Sequence, residues 1–421
     1  MIYFIYDLLI FLASLVYLPF YALRGRVHAD ISKRLGFFNE DVFSGLKGKD
    51  VIWIHAVSVG EARAAEALVR LLRKEWPQKR IVLSTVTPTG QAIVRKILEG
   101  DEVAFYAPLD ISFVVKKFLN VLHPSLLIIM ETEIWPNLIR RTQDTGCAVA
   151  VVNGRLSDRS FKGYKKMDWF MKPVLRGVDL FCMQTESDAA RITSLGVLPK
   201  RIKTTGNIKF DISSDLKQPC SLLRFKSALR DSFLVIAGST HENEEEQILS
   251  VYQSLRKDFG SLRLLIAPRH LNRLDKIKRM VRLAGLEAVG LSSLVSFSSA
   301  QIALLDAMGD LGALYQFCDV AFIGGSLVNK GGHNPIEPAL FGKPIIFGRH
   351  MENFKEIRDI FLREKAAIEV SDSAHLEYEL RRLLGDPNER KALGARARLL
   401  LDKNKGAAQE TLSYLKDLVK R

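Results

Sequence analysis

The sequence is poor in cysteine: only four occur in 421 residues, and none belongs to a Cys-x-x-C pair or lies at zinc-ligand spacing. This scarcity excludes a disulfide-stapled fold and predicts a reduced protein without a structural metal. The chain also lacks a Gly-x-Gly-x-x-Gly motif after its first predicted strand and a Gly-x-x-x-x-Gly-Lys-Ser/Thr motif anywhere. These absences argue against a dinucleotide oxidoreductase and a P-loop ATPase.

Acidic residues are fewer than basic ones, 47 against 61, which gives a formal net charge of +14. Residues 1–210 hold 30 basic and 20 acidic residues, a net charge of +10, whereas the remainder carries only +4. The hydrophobic content of 48% is enough for two or three domain cores and excludes intrinsic disorder. We therefore expect a folded protein with an anionic partner, contacted mainly by the N-terminal half.

A long apolar run opens the chain, from Ile2 to Leu23, with Asp7 as its only charge. Its length is sufficient to cross a hydrocarbon core of about 30 Å, and no basic region or cleavage site of a signal peptide accompanies it. Basic residues follow directly, which places the rest of the chain in the cytoplasm. We predict a retained membrane anchor that spans the bilayer or lies in one leaflet, with four tyrosines at the headgroups (Tyr3, Tyr6, Tyr17 and Tyr21). The alternative is a buried helix of a soluble domain.

Short β-branched runs alternate with amphipathic stretches through the rest of the chain, a pattern typical of parallel α/β sheets. A polar stretch at residues 211–219 interrupts the alternation, which then resumes. We predict an α/β protein with a membrane anchor over residues 1–23 and two doubly wound domains over residues 24–212 and 213–421. The strands are predicted at residues 51–57, 80–87, 126–130, 148–154, 179–185, 233–240, 262–268, 302–307, 320–325 and 344–348.

Ligands of such sheets bind beyond the carboxyl ends of the strands, so polar residues there are candidates for chemistry. Glu61 follows the first strand of the first domain and falls in the first turn of a predicted helix. The helix dipole is expected to keep its carboxylate ionised, ready to accept a proton as a general base. The alternative is that Glu61 only complements the dipole.

Two further glutamates, Glu131 and Glu133, follow a wholly apolar strand, and at least one is expected to face the crevice between the domains. Glu133 is the better candidate for an ion pair with a surface cation. Lys209 lies near the end of the first domain and is either a surface charge or a counter-ion for a substrate anion. The basic run at residues 159–167 is either solvated or binds phosphate.

Two pairs of adjacent glycines occur in the second half, at residues 324–325 and 331–332. They allow backbone N–H groups to approach an anion, while Asn334 suits a helix N-cap and Pro335 the first helical position. We therefore predict a phosphate site at this helix start, with Glu337 placed to accept hydrogen bonds from a ribose. Because no Asp-x-Asp motif occurs, binding without a metal is predicted.

Eight motifs occur in the order and spacing of one known family. They are HAVSVGE at 55–61, TPTG at 87–90, METEIWPN at 130–137, NGRLSDRS at 153–160, TGNIKFD at 205–211, AGSTHE at 237–242, PRH at 268–270 and GGHNPIEPA at 331–339. On these motifs, which cover essentially the whole chain, the sequence resembles the 3-deoxy-D-manno-octulosonic acid (Kdo) transferases of lipopolysaccharide biosynthesis.

The resemblance implies a membrane-associated inverting glycosyltransferase of GT-B architecture, with two Rossmann-like domains facing a central cleft. It implies transfer of Kdo from CMP-Kdo to lipid IVA on the cytoplasmic side of the inner membrane, with no cofactor or metal and no nucleic-acid partner. By motif, Glu61 would be the general base, and Glu131 and Lys209 would stabilise the transition state. CMP would be contacted by Pro268, Arg269, Met308, Gly309, Asp310, Asn334, Pro335, Ile336 and Glu337.

Two positions depart from the family pattern. Asn243 stands where the family commonly has glycine, so its loop is left outside the predicted site. Asp310 stands where a longer glutamate is usual, which weakens the prediction of that contact.

Two alternatives remain open from the sequence. One is another GT-B enzyme that uses a UDP-sugar on a membrane lipid precursor, since a fold does not fix a substrate. The other is a membrane-tethered binding protein for nucleic acid, which the pI near 9.5 allows but no motif supports.

Overall fold

The computed structural model describes residues 2–23, 30–211, 225, 227–229, 232–294, 301–307 and 309–419. The chain divides into two compact units: unit 1 comprises Met1–Asp211 and Asn404–Arg421, and unit 2 comprises Ile212–Lys403. Each contains one seven-stranded sheet whose pairings are all parallel. The predicted Met308 contact lies outside the described residues.

The sheet of unit 1 has the strand order β3-β2-β1-β4-β5-β6-β7. Its strands are β1 (Val51–His55), β2 (Arg80–Thr85), β3 (Val103–Tyr106), β4 (Pro124–Met130), β5 (Ala148–Gly154), β6 (Leu180–Met183) and β7 (Ile202–Thr204). The sheet of unit 2 repeats the arrangement in the order β10-β11-β9-β8-β12-β13-β14. Its strands are β8 (Leu234–Thr240), β9 (Arg263–Pro268), β10 (Ala288–Gly290), β11 (Ile302–Leu304), β12 (Val320–Ile323), β13 (Ile345–Gly348) and β14 (Ile368–Val370).

The described helices connect and cover these strands. Those of unit 1 are α1 (Ile2–Leu23), α2 (Ile31–Arg34), α3 (Val59–Glu75), α4 (Pro88–Ile97), α5 (Ser112–Leu122), α6 (Pro136–Asp144), α7 (Asp158–Lys166), α8 (Asp168–Arg176) and α9 (Glu186–Ser194). The helices of unit 2 are α10 (Glu245–Leu255), α11 (Leu274–Leu283), α12 (Leu311–Leu314), α13 (Ile336–Ala339), α14 (Lys355–Arg363), α15 (Ser373–Gly385) and α16 (Pro387–Asn404), whose last residue falls in unit 1. The last helix, α17 (Ala407–Val419), belongs to unit 1. Short 3-10 turns lie at 40–46, 199–201, 208–210, 271–273, 291–293, 315–317 and 352–354.

The central strands form because both faces of each sheet are buried, which requires continuous apolar runs. Every residue of β1 is buried, and so are all but one residue of β4. Alternate β1 residues enter two different cores: Trp53 packs in the cluster on one face, and Ile52 and Ile54 pack in the cluster on the other. The prediction of two doubly wound α/β domains is confirmed.

The C-terminal helix belongs to unit 1, although the predicted second domain extended to residue 421. On α17, Leu412 and Leu415 are fully or nearly fully buried in the core on the Ile52 face of the first sheet. Asp211 fixes the start of this segment by accepting the backbone N–H groups of Gly406 and Ala408. α17 packs beside α3 and covers the part of this face that lies over β5 and β6.

The N-terminal apolar run is helical, as predicted, and three polar residues in its first two turns contact other residues of unit 1. Asp7 Oδ1 accepts the backbone N–H of Ser112 at 2.9 Å and the Nδ2 of Asn137 at 2.8 Å. Tyr6 donates its hydroxyl to Asp110 at 2.9 Å, and Tyr3 lies under the guanidinium of Arg140. The side chains of Tyr17 and Tyr21 lie outside the described residues.

Over residues 4–12, the opposite side of α1 is apolar and exposed. It presents Phe4, Ile5, Leu8, Leu9, Phe11 and Leu12. Within the described part of the chain, no helix has the length and apolar character needed to cross a membrane.

Candidate active site

The strand order of unit 1 reverses between β1 and β4, and the carboxyl ends of these strands are where a doubly wound sheet binds ligands. Glu61 lies on α3, which follows β1, and Glu131 follows β4 directly. The two carboxylates are close enough for the charge of Glu131 to raise the pKa of Glu61. The structure therefore brings the two predicted glutamates to the same edge of the sheet.

Glu61 is held by a capping arrangement at the start of α3. Ser58 is the N-cap, and its Oγ accepts the Glu61 backbone N–H at 3.2 Å. In return Glu61 Oε1 accepts the Ser58 hydroxyl at 2.7 Å, and Oε2 accepts the Val57 backbone N–H at 2.7 Å. Such reciprocal bonds between the N-cap and the third helical residue fix both side chains.

The carboxyl of Glu61 is not permanently ionised, so that prediction is wrong. The residue is only 5% exposed, and its pKa is raised to about 7, because burial raises the pKa more than the Ser58 and Val57 hydrogen bonds lower it. The nearby Glu131 and Glu133 charges raise it further. A carboxylate that titrates near neutral pH is better suited to proton transfer than an ordinary one.

Glu131 lies between two cations. Its Oε1 is 2.7 Å from Lys209 Nζ, and its Oε2 is 2.8 Å from Arg155 Nε. Burial alone would raise the pKa of Glu131, but Lys209 and Arg155 outweigh burial and hold the pKa below its ordinary value. The backbone of Glu131 has a φ of +54°, a left-handed conformation that non-glycine residues rarely adopt. The structure thus joins the predicted Glu131 and Lys209 and adds Arg155.

The neighbouring polar residues have other roles. Glu133 Oε2 accepts the indole N–H of Trp135 at 3.2 Å. Among the residues that the structure describes, Glu133 forms no ion pair, in contrast to the prediction. Asn153, at the end of β5, also has a positive φ, and its Oδ1 accepts the Ile208 backbone N–H at 2.9 Å. This bond fixes the turn that carries Lys209. The basic residues of α7 are solvent exposed.

In unit 2, Pro268 ends β9 and Arg269 follows it, with its backbone N–H donated to Thr240 at the end of β8. The Arg269 side chain has no ion-pair partner within the described residues of the chain. Gly309 has a φ of +104°, and Asp310 occupies the N-cap position of α12 without a side-chain cap. Pro268 is thus the last residue of a strand, and Arg269, Gly309 and Asp310 lie after strands of the second sheet.

The helix predicted after Asn334 is a single turn, Ile336–Ala339, and Pro335 is its N-cap residue instead of its first helical residue. Asn334 Oδ1 still accepts the Ile336 backbone N–H at 3.1 Å, and its Nδ2 lies 3.5 Å from Glu337 Oε1. Because the macrodipole of one turn is small, the phosphate site predicted from a helix start loses most of its electrostatic basis. Asn334 and Glu337 remain adjacent polar side chains.

The glycine loop at residues 324–326 already holds an anion from the chain itself. The buried Glu244 carboxylate accepts the backbone N–H groups of Gly325 at 2.7 Å, Ser326 at 3.1 Å and Leu327 at 3.0 Å. These three donors are therefore occupied by Glu244 and are not available to a substrate phosphate. Asn243 adopts a φ of +67°, which explains why glycine is suited to its position.

Sequence reasoning missed three functional candidates here: Arg155, Glu244 and the pair His241 and His333. Arg155 and His241 lie directly after strands, and this position in the sequence could have identified them as candidates. Glu244 and the histidine pair depend on tertiary contacts across 81 and 92 residues, for which the sequence has no local signal.

Solved structures share this fold at low sequence identity. A UDP-GlcNAc 2-epimerase from Neisseria meningitidis matches 87% of this chain and all of its own, with a TM-score of 0.58 and 12% identity. A glycosyltransferase from Rickettsia africae matches 89% of this chain and all of its own, with a TM-score of 0.56 and 12% identity. Two doubly wound parallel sheets are the architecture of the GT-B class of fold, so the predicted fold class is confirmed.

Sequence comparisons define the family. Residues 29–212 match the family described as 3-Deoxy-D-manno-octulosonic-acid transferase (kdotransferase). The chain is 34% identical to 3-deoxy-D-manno-octulosonic acid transferase of Haemophilus influenzae, over 94% of this chain and 93% of that protein. It is 37% identical to a bifunctional glycosyltransferase/methyltransferase of Fusobacterium nucleatum but spans only 57% of that protein's length. The chain belongs to the Kdo transferase family, which confirms the predicted family and enzyme class.

Proposed function

We propose that the protein transfers Kdo from CMP-Kdo to lipid IVA with inversion at the anomeric carbon. The observation that carries the proposal is the Glu61 carboxyl, buried at the order reversal of the first sheet with a pKa raised to about 7, mainly by burial. Membership of the Kdo transferase family supports the donor and the acceptor.

In the proposed reaction, ionised Glu61 accepts the proton of a primary hydroxyl on the acceptor lipid. The hydroxyl oxygen forms a bond to the anomeric carbon of Kdo while the bond from that carbon to the phosphate oxygen breaks. The bonding electrons leave with CMP from the opposite face. Ser58 and Val57 hold the carboxyl in place, so little reorganisation is needed at the moment of transfer.

The reaction brings together the Kdo carboxylate, the CMP phosphate and the lipid phosphates, all of them anionic. Lys209 and Glu131 are proposed to stabilise the transition state, with Arg155 holding Glu131 from the other side. Arg269 is proposed to bind the CMP phosphate, and Asn334 and Glu337 the ribose. Pro268, Gly309 and Asp310 are proposed to complete the nucleotide contacts.

We propose that no metal ion takes part, because cationic side chains supply the charge that a metal would otherwise provide. Undiminished turnover after chelation with EDTA supports this proposal, and loss of turnover that Mg²⁺ restores overturns it.

We also propose that the protein acts at the cytoplasmic face of the inner membrane. The exposed apolar side of α1, with Phe4, Leu8 and Phe11, and the net charge of +10 in residues 1–210 support contact with an anionic membrane that presents the acceptor.

The test compares donors with the purified full chain and lipid IVA as acceptor. Release of CMP from CMP-Kdo, with no turnover of UDP-GlcNAc or UDP-glucose, is the expected result. Turnover of a UDP-sugar without turnover of CMP-Kdo would overturn the proposal and favour a different glycosyltransferase. Binding of CMP-Kdo without transfer would leave a binding protein.

A further inference from the structure

The strand order of the second sheet reverses between β8 and β12, in the same way as that of the first sheet reverses between β1 and β4. His241 directly follows β8, and His333 lies in the loop after β12. Arg269 and His270 follow β9, the neighbour of β8 on its other side. These side chains therefore occupy the edge where a doubly wound sheet binds its ligand.

The two histidines contact each other through their ring nitrogens. Nε2 of His241 lies 2.9 Å from Nε2 of His333, and the rings are nearly parallel, with an interplanar angle of 5°. A hydrogen bond between two imidazoles needs one donor and one acceptor, so one of the facing nitrogens is unprotonated. In the neutral pair the donor ring carries its proton on Nε2 and has an unprotonated Nδ1, so the pair can take up one more proton there without breaking this bond.

The backbone around the pair is fixed. Glu244, which accepts three N–H groups of the glycine loop, also accepts the backbone N–H of His241 at 3.2 Å. Gly325 lies against both rings: a Cβ at this position would be 3.2 Å from a ring carbon of each histidine. Its φ of +70° and the close rings explain why glycine is required there.

The electrostatic surroundings of the pair are cationic. Burial, followed by the charges of His270, Lys330, Arg269 and Arg273, lowers the pKa of His241. The acidic groups nearby are already engaged: Glu242 with Lys276 and Arg273, Glu245 with Arg273, and Glu244 with backbone N–H groups. Neither Arg269 nor Lys330 has an ion-pair partner in the described ranges.

We propose that His241 and His333 bind the anionic group of the sugar nucleotide and take up a proton when it binds. This inference rests on the proposed function. The group is the nucleotide phosphate or the carboxylate of the acidic sugar, both of which accept a hydrogen bond from an imidazolium.

The pH dependence follows from the charges. An anion at the pair favours the protonated form, so the ligand-bound pKa is higher than the free pKa. Affinity is therefore highest below the free pKa and is lost as the pH rises through the bound pKa. Proton uptake accompanies binding within that window.

Calorimetry of ligand binding measures this uptake. CMP, CMP-Kdo and uncharged cytidine are titrated into the full chain in two buffers of different ionisation enthalpy. A pH of about 7.5 keeps the CMP phosphate, with a second pKa of about 6, almost fully ionised. If the pair binds the phosphate, we expect proton uptake with CMP. If the pair binds the sugar carboxylate, we expect proton uptake with CMP-Kdo but not with CMP. Cytidine should cause no proton uptake in either case.

The variants His241→Gln and His333→Gln keep a hydrogen-bonding amide but cannot take up the proton. Each is expected to abolish uptake and to weaken binding of the active ligand by at least about tenfold, as loss of a charge-assisted hydrogen bond implies. His375→Gln, a histidine at the start of α15, is the control and is expected to behave as wild type.

The experiment distinguishes failure of the role proposed for the histidine pair from failure of the proposed function. Tight binding of CMP-Kdo without proton uptake, or uptake that persists in both glutamine variants, overturns the role of the pair and leaves the proposed function standing. Failure of the wild-type chain to bind either CMP or CMP-Kdo overturns the proposed function, and the role of the pair with it.

Discussion

The ammonium of Lys209 lies 2.7 Å from a carboxylate oxygen of Glu131, although 78 residues separate them in the chain. Both side chains are mostly buried, and Arg155 completes the ion pair from the other side. Two cations on one carboxylate leave a local excess of positive charge. That excess lies at the sheet edge that also carries Glu61.

We predict that Lys209→Met lowers kcat by about a hundredfold, the scale expected when one preorganised charge is removed from a transition state. The KM for the donor should change much less, because Glu131 keeps Arg155 and the fold is retained. Steady-state kinetics measures both parameters. Lys200→Met, at an exposed position of the same unit, is the control, and an equal effect of the two variants would contradict the prediction.

Glu61→Gln should reduce transfer by about 10²- to 10⁴-fold, the range of general-base catalysis, while CMP affinity stays within twofold. Glutamine can preserve the cap, since its oxygen can accept the Val57 N–H and its amide can donate to Ser58. Glu66→Gln on the exposed side of α3 serves as the matched control. Near-native turnover of Glu61→Gln would remove this residue from the mechanism.

The rate should depend on the ionisation of Glu61. With a pKa raised to about 7, chiefly by burial, kcat/KM is expected to fall tenfold per pH unit on the acid side of that value. A pH profile over the neutral range measures this fall. A rate that stays constant down to pH 5 would require a base with an ordinary carboxylate pKa.

The same pKa predicts an effect on stability. The folded state of Glu61 holds its proton up to a pH of about 7, whereas the reference carboxyl releases it near 4.5, so stability falls as the pH rises between these values. Glu61→Gln removes this loss and should raise the Tm at pH 8 more than at pH 5. Thermal unfolding at both pH values measures the difference, and an equal Tm change at both would contradict it.

Arg269→Gln should weaken CMP binding by about 10- to 100-fold, because a hydrogen bond to a charged group contributes roughly 1.5–3 kcal/mol. Calorimetric titration measures the Kd, with Arg279→Gln on the exposed side of α11 as the control. Unchanged CMP affinity would show that Arg269 does not bind the nucleotide.

The strands that the sequence does not predict share one feature: they are the edges of the two sheets. β3 and β7 end the first sheet, and β10 and β14 end the second. Each has only three or four residues, and most of these are partly exposed. Because only part of the surface of an edge strand is buried, polar residues can interrupt its apolar run, as Lys203 does in β7 and Glu369 in β14. The central strands were predictable because they are buried on both faces and therefore consist almost wholly of apolar residues.

The site shows the same division between local and tertiary information. The positions of Glu61 and Glu131 after their strands were predictable, since strand ends are visible in the sequence. The raised pKa of Glu61 was not predictable, because it depends chiefly on how deeply the carboxyl is buried in the folded unit. The occupation of the glycine loop by Glu244 and the pairing of His241 with His333 likewise arise only when distant segments meet.

The most direct test of the account is the mass of the product. The full chain and its Glu61→Gln variant are each incubated with CMP-Kdo and lipid IVA, and the lipid is analysed by mass spectrometry. We expect lipid IVA carrying added Kdo with the wild-type chain and unmodified lipid with the variant, although both bind CMP. Unmodified lipid with the wild-type chain, or equal product with both chains, would contradict it.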